Sequence, residues 1–207
     1  MTHPISLNER RTQRQRKQDA ETAIITAAIA IIAEKGLAGL TLAAAGEQAG
    51  YSRGIASHHF GKKDELLIAV VNHITRSFND YLAHDKDIRP GLAMILKVIE
   101  RYLNDIKNNS VNVRAWQLIL TEAVSNPVLK PALEKVNTRS VKNLARHIEQ
   151  GISDGDVRED IDSSNQALII LSTLRGVMGH WLVNPHDIDM KSLQAELVAN
   201  IHKQFNK

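Results

Sequence analysis

Apolar residues recur at spacings of three and four along most of this 207-residue chain. That period is typical of amphipathic α-helices, whereas the strict alternation of a half-buried β-strand is found nowhere in the sequence. The pattern therefore predicts an all-α protein with about nine helices. In chain order the predicted helices cover approximately residues 19–35, 42–49, 53–59, 63–83, 90–106, 110–124, 128–153, 163–183 and 190–205.

The predicted helix over residues 163–183 differs from the others because it is apolar on nearly every side. A helix that is apolar all round has to be covered all round. We therefore expect half of it to face the core of its own chain and half to face a second copy, with help from the last helix. The residues predicted to form this dimer interface are Leu171, Leu174, Met178, Leu193, Leu197 and Ile201.

Two short predicted helices near the N-terminus are joined by a tight turn. Thr41 is placed to cap the first helix, and Gly50 stands just past its end, where a helix favours a residue with positive φ. Ser52 then precedes the second helix. Such a helix-turn-helix lays its second helix in the major groove of DNA. An ordinary helical hairpin with a polar outer face is the alternative.

The second short helix carries side chains that are suited to contacting DNA. Arg53 and His58 supply hydrogen-bonding groups, while Gly54 allows a partner to approach the backbone closely. Together with a basic arm at the N-terminus, the predicted DNA-binding residues are Arg10, Arg11, Arg14, Thr41, Ser52, Arg53, Gly54, Ser57, His58, His59 and Lys63.

Positive charge is concentrated at the N-terminal end of the chain. The net charge is only +3, but up to Lys63 there are nine Lys/Arg residues against five Asp/Glu residues. Five of these nine lie between Arg10 and Lys17, with no acidic residue among them. Next to a helix-turn-helix, we expect such an arm to contact phosphates or the minor groove. A solvated tail is the alternative.

Several motifs between residues 20 and 67 together resemble the DNA-binding domain of the TetR family of transcriptional regulators. These motifs are A-A-x-x-x-x-A-E-K-G from Ala27 to Gly36, Thr41, A-G-Y-S from Ala49 to Ser52, H-F at residues 59–60, and K-x-E-L-L from Lys63 to Leu67. Two positions depart from the commonest family pattern: Ala45 replaces a larger aliphatic residue, and Ser57 replaces a tyrosine. The G-I-x-S-H-x-F variant around Ser57 is similar to that of the choline-sensing members of the family.

The resemblance implies a three-helix DNA-binding head, a phosphate contact by Lys63, and a larger helical domain that binds an effector and dimerises. The expected organisation is a basic arm over residues 1–18 and a helix-turn-helix domain over residues 19–62. A connector helix over residues 63–83 then leads into an effector-binding and dimerisation domain over residues 84–207. The connector helix is the expected route by which a ligand changes DNA binding.

The sequence contains no recognisable catalytic or metal site. The absence of cysteine excludes disulfides, thiolate zinc sites and cysteine nucleophiles. Phosphate-binding loops, nucleophile elbows and zinc-protease motifs are also absent. His58 and His59 are adjacent, so on a helix their side chains point about 100° apart and do not readily face one metal ion. We therefore expect no enzyme activity, no cofactor and no bound metal.

The ends and apolar runs of the chain give its expected location. The N-terminus lacks the apolar segment of a signal peptide. The apolar runs, such as that from Ala167 to Leu171, are far shorter than a membrane span. We therefore expect a cytoplasmic protein without a membrane partner.

Aromatic and polar residues on separate predicted helices of the second domain are candidates for a ligand pocket. The candidate effector-binding residues are Tyr102, Trp116, Gln117, Met178, His180 and Trp181. Packing in the core is the alternative for the aromatic residues among them. Tryptophan faces attract quaternary ammonium groups, and the head variant is similar to that of choline-sensing regulators. A small organic cation is therefore the first candidate effector.

These observations predict a homodimeric repressor that binds a palindromic site on double-stranded DNA and is released by a small-molecule effector. Two alternatives are a helical enzyme or carrier whose basic arm is incidental, and an architectural DNA-binding protein without an effector. Specific binding to duplex DNA that weakens with salt would favour the repressor over the enzyme. A ligand-dependent change in DNA affinity would distinguish it from the architectural protein.

Overall fold

A computed structural model describes residues 12–84, 88–108 and 110–206, and these form helices without any strand. The all-α prediction is therefore confirmed for the described part of the chain. A short 3₁₀ helix, Leu37–Gly39, lies between the first two α-helices. The nine α-helices are α1 (Gln13–Lys35), α2 (Leu42–Gln48), α3 (Arg53–Phe60), α4 (Lys63–His84), α5 (Leu92–Asn108), α6 (Ser110–Glu122), α7 (Leu129–Asp154), α8 (Ser163–Val183) and α9 (Met190–Phe205).

Helix α1 begins six residues earlier than the predicted start at residue 19. The cause is a capping box, in which the Thr12 hydroxyl accepts a 3.2 Å hydrogen bond from the backbone N–H of Gln15. In return, the Gln15 side-chain oxygen accepts a 2.7 Å bond from the Thr12 N–H. Arg14 of the predicted arm therefore lies on a helix, whereas Arg10 and Arg11 lie outside the described residues.

The first of two hydrophobic cores surrounds the buried face of α1 and joins it to α2, α3 and the first half of α4. Ile24 and Ile32 of α1 are fully buried there. This core also includes Ala115 and Ile119 of α6 and Leu133 of α7. The N-terminal helices therefore do not have a core of their own, because α6 and α7 complete it. The domain boundaries given above remain a prediction.

The second core is formed by α5, α7, α8 and α9, with Val113 of α6. Phe205 at the end of α9 is fully buried, and its carbonyl oxygen accepts a 2.9 Å hydrogen bond from the backbone N–H of Arg158. Gly151 on α7 lies directly beneath Val157, since a Cβ at residue 151 would come within 2.6 Å of a Val157 methyl group. The loop after α7 is thus held tightly against the helix that precedes it.

Helix α8 presents one face to the second core and one face to solvent. Its N-cap is Asp162, whose carboxylate accepts a 2.9 Å bond from the Asn165 N–H. Leu168 and Ile169 are each 52% exposed, and Val183 is 77% exposed. By length and composition alone, α8 is long and apolar enough to span a membrane. The short apolar runs of the sequence did not predict this.

The buried face of α8 changes which residues can form the predicted dimer interface. Leu171, Leu174 and Met178 are buried in the chain's own core, as is Ile201 of α9, so a partner has no access to them. Leu193 and Leu197 are only partly buried and remain available. A second copy would therefore meet the opposite face of α8, which the periodicity alone did not separate from the core face. Exposed positions on that face include Leu168, Ser172, Gly176 and Val183.

Candidate DNA-binding surface and ligand cavity

The turn between α2 and α3 is a Schellman motif centred on Gly50. The backbone N–H of Gly50 bonds to the Glu47 carbonyl at 3.0 Å, and that of Tyr51 bonds to the Gly46 carbonyl at 2.9 Å. Gly50 has φ +80°, a conformation that side chains with a Cβ rarely adopt. These bonds set the angle at which α3 leaves α2.

Small residues let α2 and α3 pack closely together. Ala45 and Ala56 are fully buried, and a Cβ on Gly46 would lie 3.2 Å from the Ser52 carbonyl oxygen and 3.4 Å from the Ala56 Cβ. Ala45 stands at this contact, at the position where the sequence departs from the larger aliphatic residue of the commonest TetR-family pattern. Helix α3 is held rigidly by its inner face, which leaves its outer face for contacts with other molecules.

The outer face of α3 carries most of the side chains predicted to contact DNA. Arg53, Gly54, Ser57 and His58 are exposed, and so is Ser52 at the N-cap. A Cβ at Gly54 would meet nothing within 4 Å, so the backbone there is open to a partner. Ser52 makes no side-chain capping bond, which leaves its hydroxyl available. Contact of these residues with DNA remains a prediction.

Arg53 forms an ion pair with Glu47 across the turn, and the Arg53 Nε donates to the Glu47 carboxylate. Both side chains are largely exposed, at 80% and 49% respectively. An ion pair this exposed contributes little to stability. A DNA phosphate would compete with the Glu47 carboxylate for the same guanidinium.

Three other predicted DNA-binding residues have contacts within the chain. The His59 ring is only 8% exposed and lies with its Nδ1 3.3 Å from the Glu21 carboxylate on α1, so it points away from the outer face of α3. The Lys63 Nζ donates a 2.7 Å hydrogen bond to the Leu37 carbonyl oxygen. The Thr41 hydroxyl accepts a 3.0 Å bond from the Ala44 N–H and so caps α2, as expected.

A cavity of about 840 Å³ lies between α4, α5, α6, α7 and α8. This volume is within the range of pockets that hold small organic ligands. Three of the six candidate effector-binding residues, Tyr102, Trp116 and Met178, line it. The Tyr102 ring packs edge-on against Phe78 of α4, with 5.9 Å between the ring centroids.

The other three candidates do not line this cavity. Gln117 faces a separate shallow groove beside Gly176, because it follows Trp116 by about 100° around α6. His180 is exposed and Trp181 packs at the edge of the second core. The two tryptophans therefore do not form the paired aromatic wall that their spacing suggested.

Sequence reasoning missed the charged residues of the cavity. Among the described residues that line it, the basic side chains are Arg101, Lys135, Arg139, Arg146 and Arg175, and the single acidic side chain is Asp105. No sequence signal indicated them, because helical spacing alone does not show which basic residues of α7 lie at a cavity formed with other helices.

Burial and neighbouring charges shift the pKa values of titratable groups in the cavity. Burial raises the pKa of Tyr102, an effect that the nearby Arg175 guanidinium partly offsets. Burial also raises the pKa of Asp105, whose carboxylate lies 3.0 Å from the Arg101 Nε. The pKa of His147 is lowered by burial and by Arg146. Tyr102 is thus neutral, with a hydroxyl that can donate, at physiological pH.

Helix α4 connects the cavity with the DNA-binding helices. Its first half is buried in the first core, where Leu66 and Val70 are fully inaccessible. Its second half lines the cavity with Thr75, Phe78 and other side chains. Helix α6 makes a second connection, because Trp116 lines the cavity while Ile119 packs in the core beneath α1. The sequence indicated only the α4 route.

Comparison with known proteins identifies the family. A family model described as bacterial regulatory proteins, tetR family, matches residues 24–70. A second, described as the C-terminal domain of BetI-type transcriptional repressors, matches residues 92–206, which is more than half of the chain. The chain belongs to the TetR family of transcriptional regulators. The HTH-type transcriptional regulator BetI of Burkholderia lata is 32% identical over 161 residues, which cover 75% of this chain and 80% of that relative.

This TetR-family chain is therefore a ligand-responsive DNA-binding transcriptional regulator and not an enzyme. Solved structures share its fold. A transcriptional regulator from Saccharomonospora viridis in complex with choline superposes with a TM-score of 0.80 at 17% identity, covering 92% of this chain and 99% of that one. FadR from Bacillus subtilis in complex with stearoyl-CoA superposes with a TM-score of 0.76 at 21% identity, covering 86% and 95%.

Proposed function

We propose that two copies of this regulator bind a palindromic DNA site and repress transcription until a small organic effector occupies the cavity. The exposed polar face of α3, held by close packing of Gly46 against Ala56, is the observation that carries the DNA-binding part of the proposal. Arg53 and His58 would contact base edges or nearby phosphates in the major groove. Lys63, at the start of α4, and the N-terminal arm would contact the backbone.

Dimerisation follows from the geometry of DNA recognition as well as from the apolar face of α8. Two recognition helices on one face of the duplex need half-sites about 34–36 Å apart. The exposed Leu168 and Val183 lie on the same side of α8 as Ser172 and Gly176, whose small size allows a second helix to approach closely. The proposed protein acts on DNA in the cytoplasm. A second copy would therefore cover the apolar face of α8, and a lipid bilayer is not needed to cover it.

The effector would act by changing the position of α4 relative to the head. A ligand that packs against Tyr102 and Phe78 would touch the second half of α4, while the first half is buried in the head core. Two states that the ligand binds unequally are required for such a switch. Displacement of α4 would change the separation of the two α3 helices. Because α6 also reaches both regions, it would transmit part of the change.

The expectation of a small organic cation has less support in the structure than in the sequence. Of the two tryptophans, only Trp116 lines the cavity, and the Asp105 carboxylate is already paired with Arg101. The structural neighbours hold choline in one case and stearoyl-CoA in another, so this fold accepts ligands of different charge and size. The cation therefore enters the binding experiment as one probe among several.

The experiment that tests the proposed function is a footprint of the full chain on the promoter beside its own gene. We expect protection of a palindromic site and an affinity that falls steeply with salt, by roughly 0.9 in log–log slope per phosphate neutralised. The Arg53→Ala variant should relax the sequence preference. Equal affinity for the palindrome and for unrelated duplex DNA would refute the proposal.

A further inference from the structure

We propose that the cavity between α4 and α8 binds an amphipathic organic anion, whose acidic group is held by Arg175 and Tyr102. This inference rests on the proposed function and deepens it, because it names the chemical class of the effector. It is carried by the hydrogen-bonding state of two buried donors and by the charge of the cavity wall.

Arg175 projects from α8 into the cavity without an acidic partner among the described residues. One terminal nitrogen donates a 2.7 Å hydrogen bond to the Asn137 side-chain oxygen, while the Nε is buried and has no partner. A buried donor left without an acceptor is costly. A guanidinium that bonds to a neutral amide still has N–H groups for a carboxylate, which it binds in a planar, two-point geometry.

Tyr102 presents a second donor at the same end of the cavity. The closest acceptor of its hydroxyl is the Met178 sulfur at 3.9 Å, and a thioether is a weak acceptor. The Arg175 guanidinium and the Trp116 side chain both interact with this hydroxyl. Arg175, Tyr102 and Trp116 therefore place three donor side chains close together, and the one carboxylate among the described lining residues, that of Asp105, is already paired with Arg101. This arrangement is expected of an anion site and not of a cation site.

The charge of the residues that line the cavity on α7 also favours an anion. Lys135, Arg139 and Arg146 line the cavity on α7 and are exposed to solvent. Asp105, the acidic residue among the described lining residues, is paired with Arg101. A cleft lined by one sign of charge raises the local concentration of the opposite ion. The same field would repel a small cation.

The remainder of the wall is apolar and suits the rest of such a ligand. Phe78, Val98, Ile106 and Leu174 line the cavity next to the Tyr102 region. A ligand with one acidic group and an apolar body would bury the apolar body here, while its acidic group accepts hydrogen bonds from Arg175. Because Phe78 belongs to α4 and packs on Tyr102, binding at this end would act directly on the helix that leads to the head.

Calorimetric titration of the full chain with three probes of equal length but different charge tests the proposal. The probes are decanoate and decyltrimethylammonium, each used below its micelle concentration, and decan-1-ol, used below its solubility limit. We expect decanoate to bind roughly tenfold or more tightly than decanol, since charged hydrogen bonds are the stronger class. The Arg175→Gln variant should lose this preference, and Arg175→Lys should retain part of it.

Two further variants keep the result interpretable. Arg114 is an exposed arginine on α6 that does not line the cavity, so Arg114→Gln should leave decanoate affinity unchanged. Tyr102→Phe removes one donor without changing a charge and should weaken decanoate binding a few-fold, even if the Arg175 variants fold poorly. Circular dichroism of each variant checks folding.

The proposal is overturned if decyltrimethylammonium binds as tightly as decanoate, if no probe binds, or if the preference for decanoate survives in Arg175→Gln. Each of these results leaves the proposed function standing, because DNA binding of the ligand-free protein is measured separately in the footprint. Conversely, if the chain binds decanoate specifically but shows no preference for the palindromic site, only the DNA-binding proposal is refuted.

Discussion

The Lys63 Nζ donates a 2.7 Å hydrogen bond to the Leu37 carbonyl oxygen, and this bond joins the first turn of α4 to the segment between α1 and α2. The lysine is partly buried, so the bond should stabilise the head as well as position the ammonium group. We expect Lys63→Met to lower the free energy of unfolding by about 1 kcal/mol, which is the usual net contribution of one intramolecular hydrogen bond. Thermal unfolding measures this as a loss of about 2–4 °C.

Lys62 is the matched control for this prediction. It precedes Lys63 by one residue, carries the same charge and is exposed. Lys62→Met should therefore reduce DNA affinity through the lost charge without changing the unfolding temperature. If both variants weaken DNA binding while neither changes stability, Lys63 acts only as a phosphate contact and the hydrogen bond to Leu37 contributes nothing measurable.

Two glycines in the helix-turn-helix should respond in opposite ways to substitution. Gly46→Val places a branched side chain 3.2 Å from the Ser52 carbonyl oxygen and should destabilise the head by about 1–3 kcal/mol. Gly54→Ala adds a methyl group in open space and should stabilise α3 slightly through helix propensity. The same methyl group should nevertheless weaken DNA binding, because the backbone can no longer approach DNA as closely.

Denaturant unfolding and DNA titration of both glycine variants separate these effects. A Gly54→Ala variant with unchanged DNA affinity would show that the backbone of α3 does not approach DNA closely. A Gly46→Val variant with native stability would show that α2 and α3 can move apart without cost.

The two adjacent histidines should likewise differ in role, with His59 contributing to stability and His58 to DNA recognition. The His59 ring is 8% exposed and lies against Glu21, so His59→Ala should cost about 1–2 kcal/mol of stability. His58 is exposed, so His58→Ala should change stability by less than about 0.5 kcal/mol. Sequence preference, measured by competition between the palindrome and a base-substituted duplex, should change for His58→Ala and not for His59→Ala.

The reverse outcome would contradict this assignment. A loss of sequence preference in a stable His59→Ala protein would mean that the ring leaves Glu21 and turns outward when DNA binds.

The two histidines also show what the sequence could and could not predict. Helical periodicity placed both on α3 correctly, because local spacing determines secondary structure. Which of the two points outward depends on the direction of α3 relative to α1, a tertiary relationship that a single helix does not contain. The same reasoning applies to Trp116 and Trp181, which were predicted to converge but face different regions.

The start of α1 was predicted incorrectly for a different reason, because the sequence signal for it is local. The capping box formed by Thr12 and Gln15 is visible as T-x-x-Q in the sequence, but the surrounding arginines favoured a basic arm that precedes the first helix. Conversely, Arg175 gave no local signal at all. One arginine on an apolar helix acquires meaning only when Asn137 and Tyr102 of other helices are placed around it.

The dimer prediction can be tested at Gly176, which lies on the exposed face of α8. A Cβ there would meet nothing within 4 Å in the chain, so a large residue should not disturb the fold of one copy. Against a second copy, however, Gly176→Arg would place a charged side chain between two closely packed helices. We expect sedimentation velocity at micromolar concentration to show a dimer for the native sequence and mainly monomer for this variant. Because one monomer engages only one half-site, its DNA affinity should fall by about 10²-fold or more.

Ala93→Arg on α5 is the control, since it introduces the same side chain at an exposed position on a different helix. This variant should remain dimeric and should bind the palindrome normally. If the native chain sediments as a monomer, the apolar face of α8 has another partner and the palindromic site loses its physical basis. If Gly176→Arg stays dimeric, the two copies meet elsewhere, and the exposed Leu168 and Val183 would then remain without an explanation.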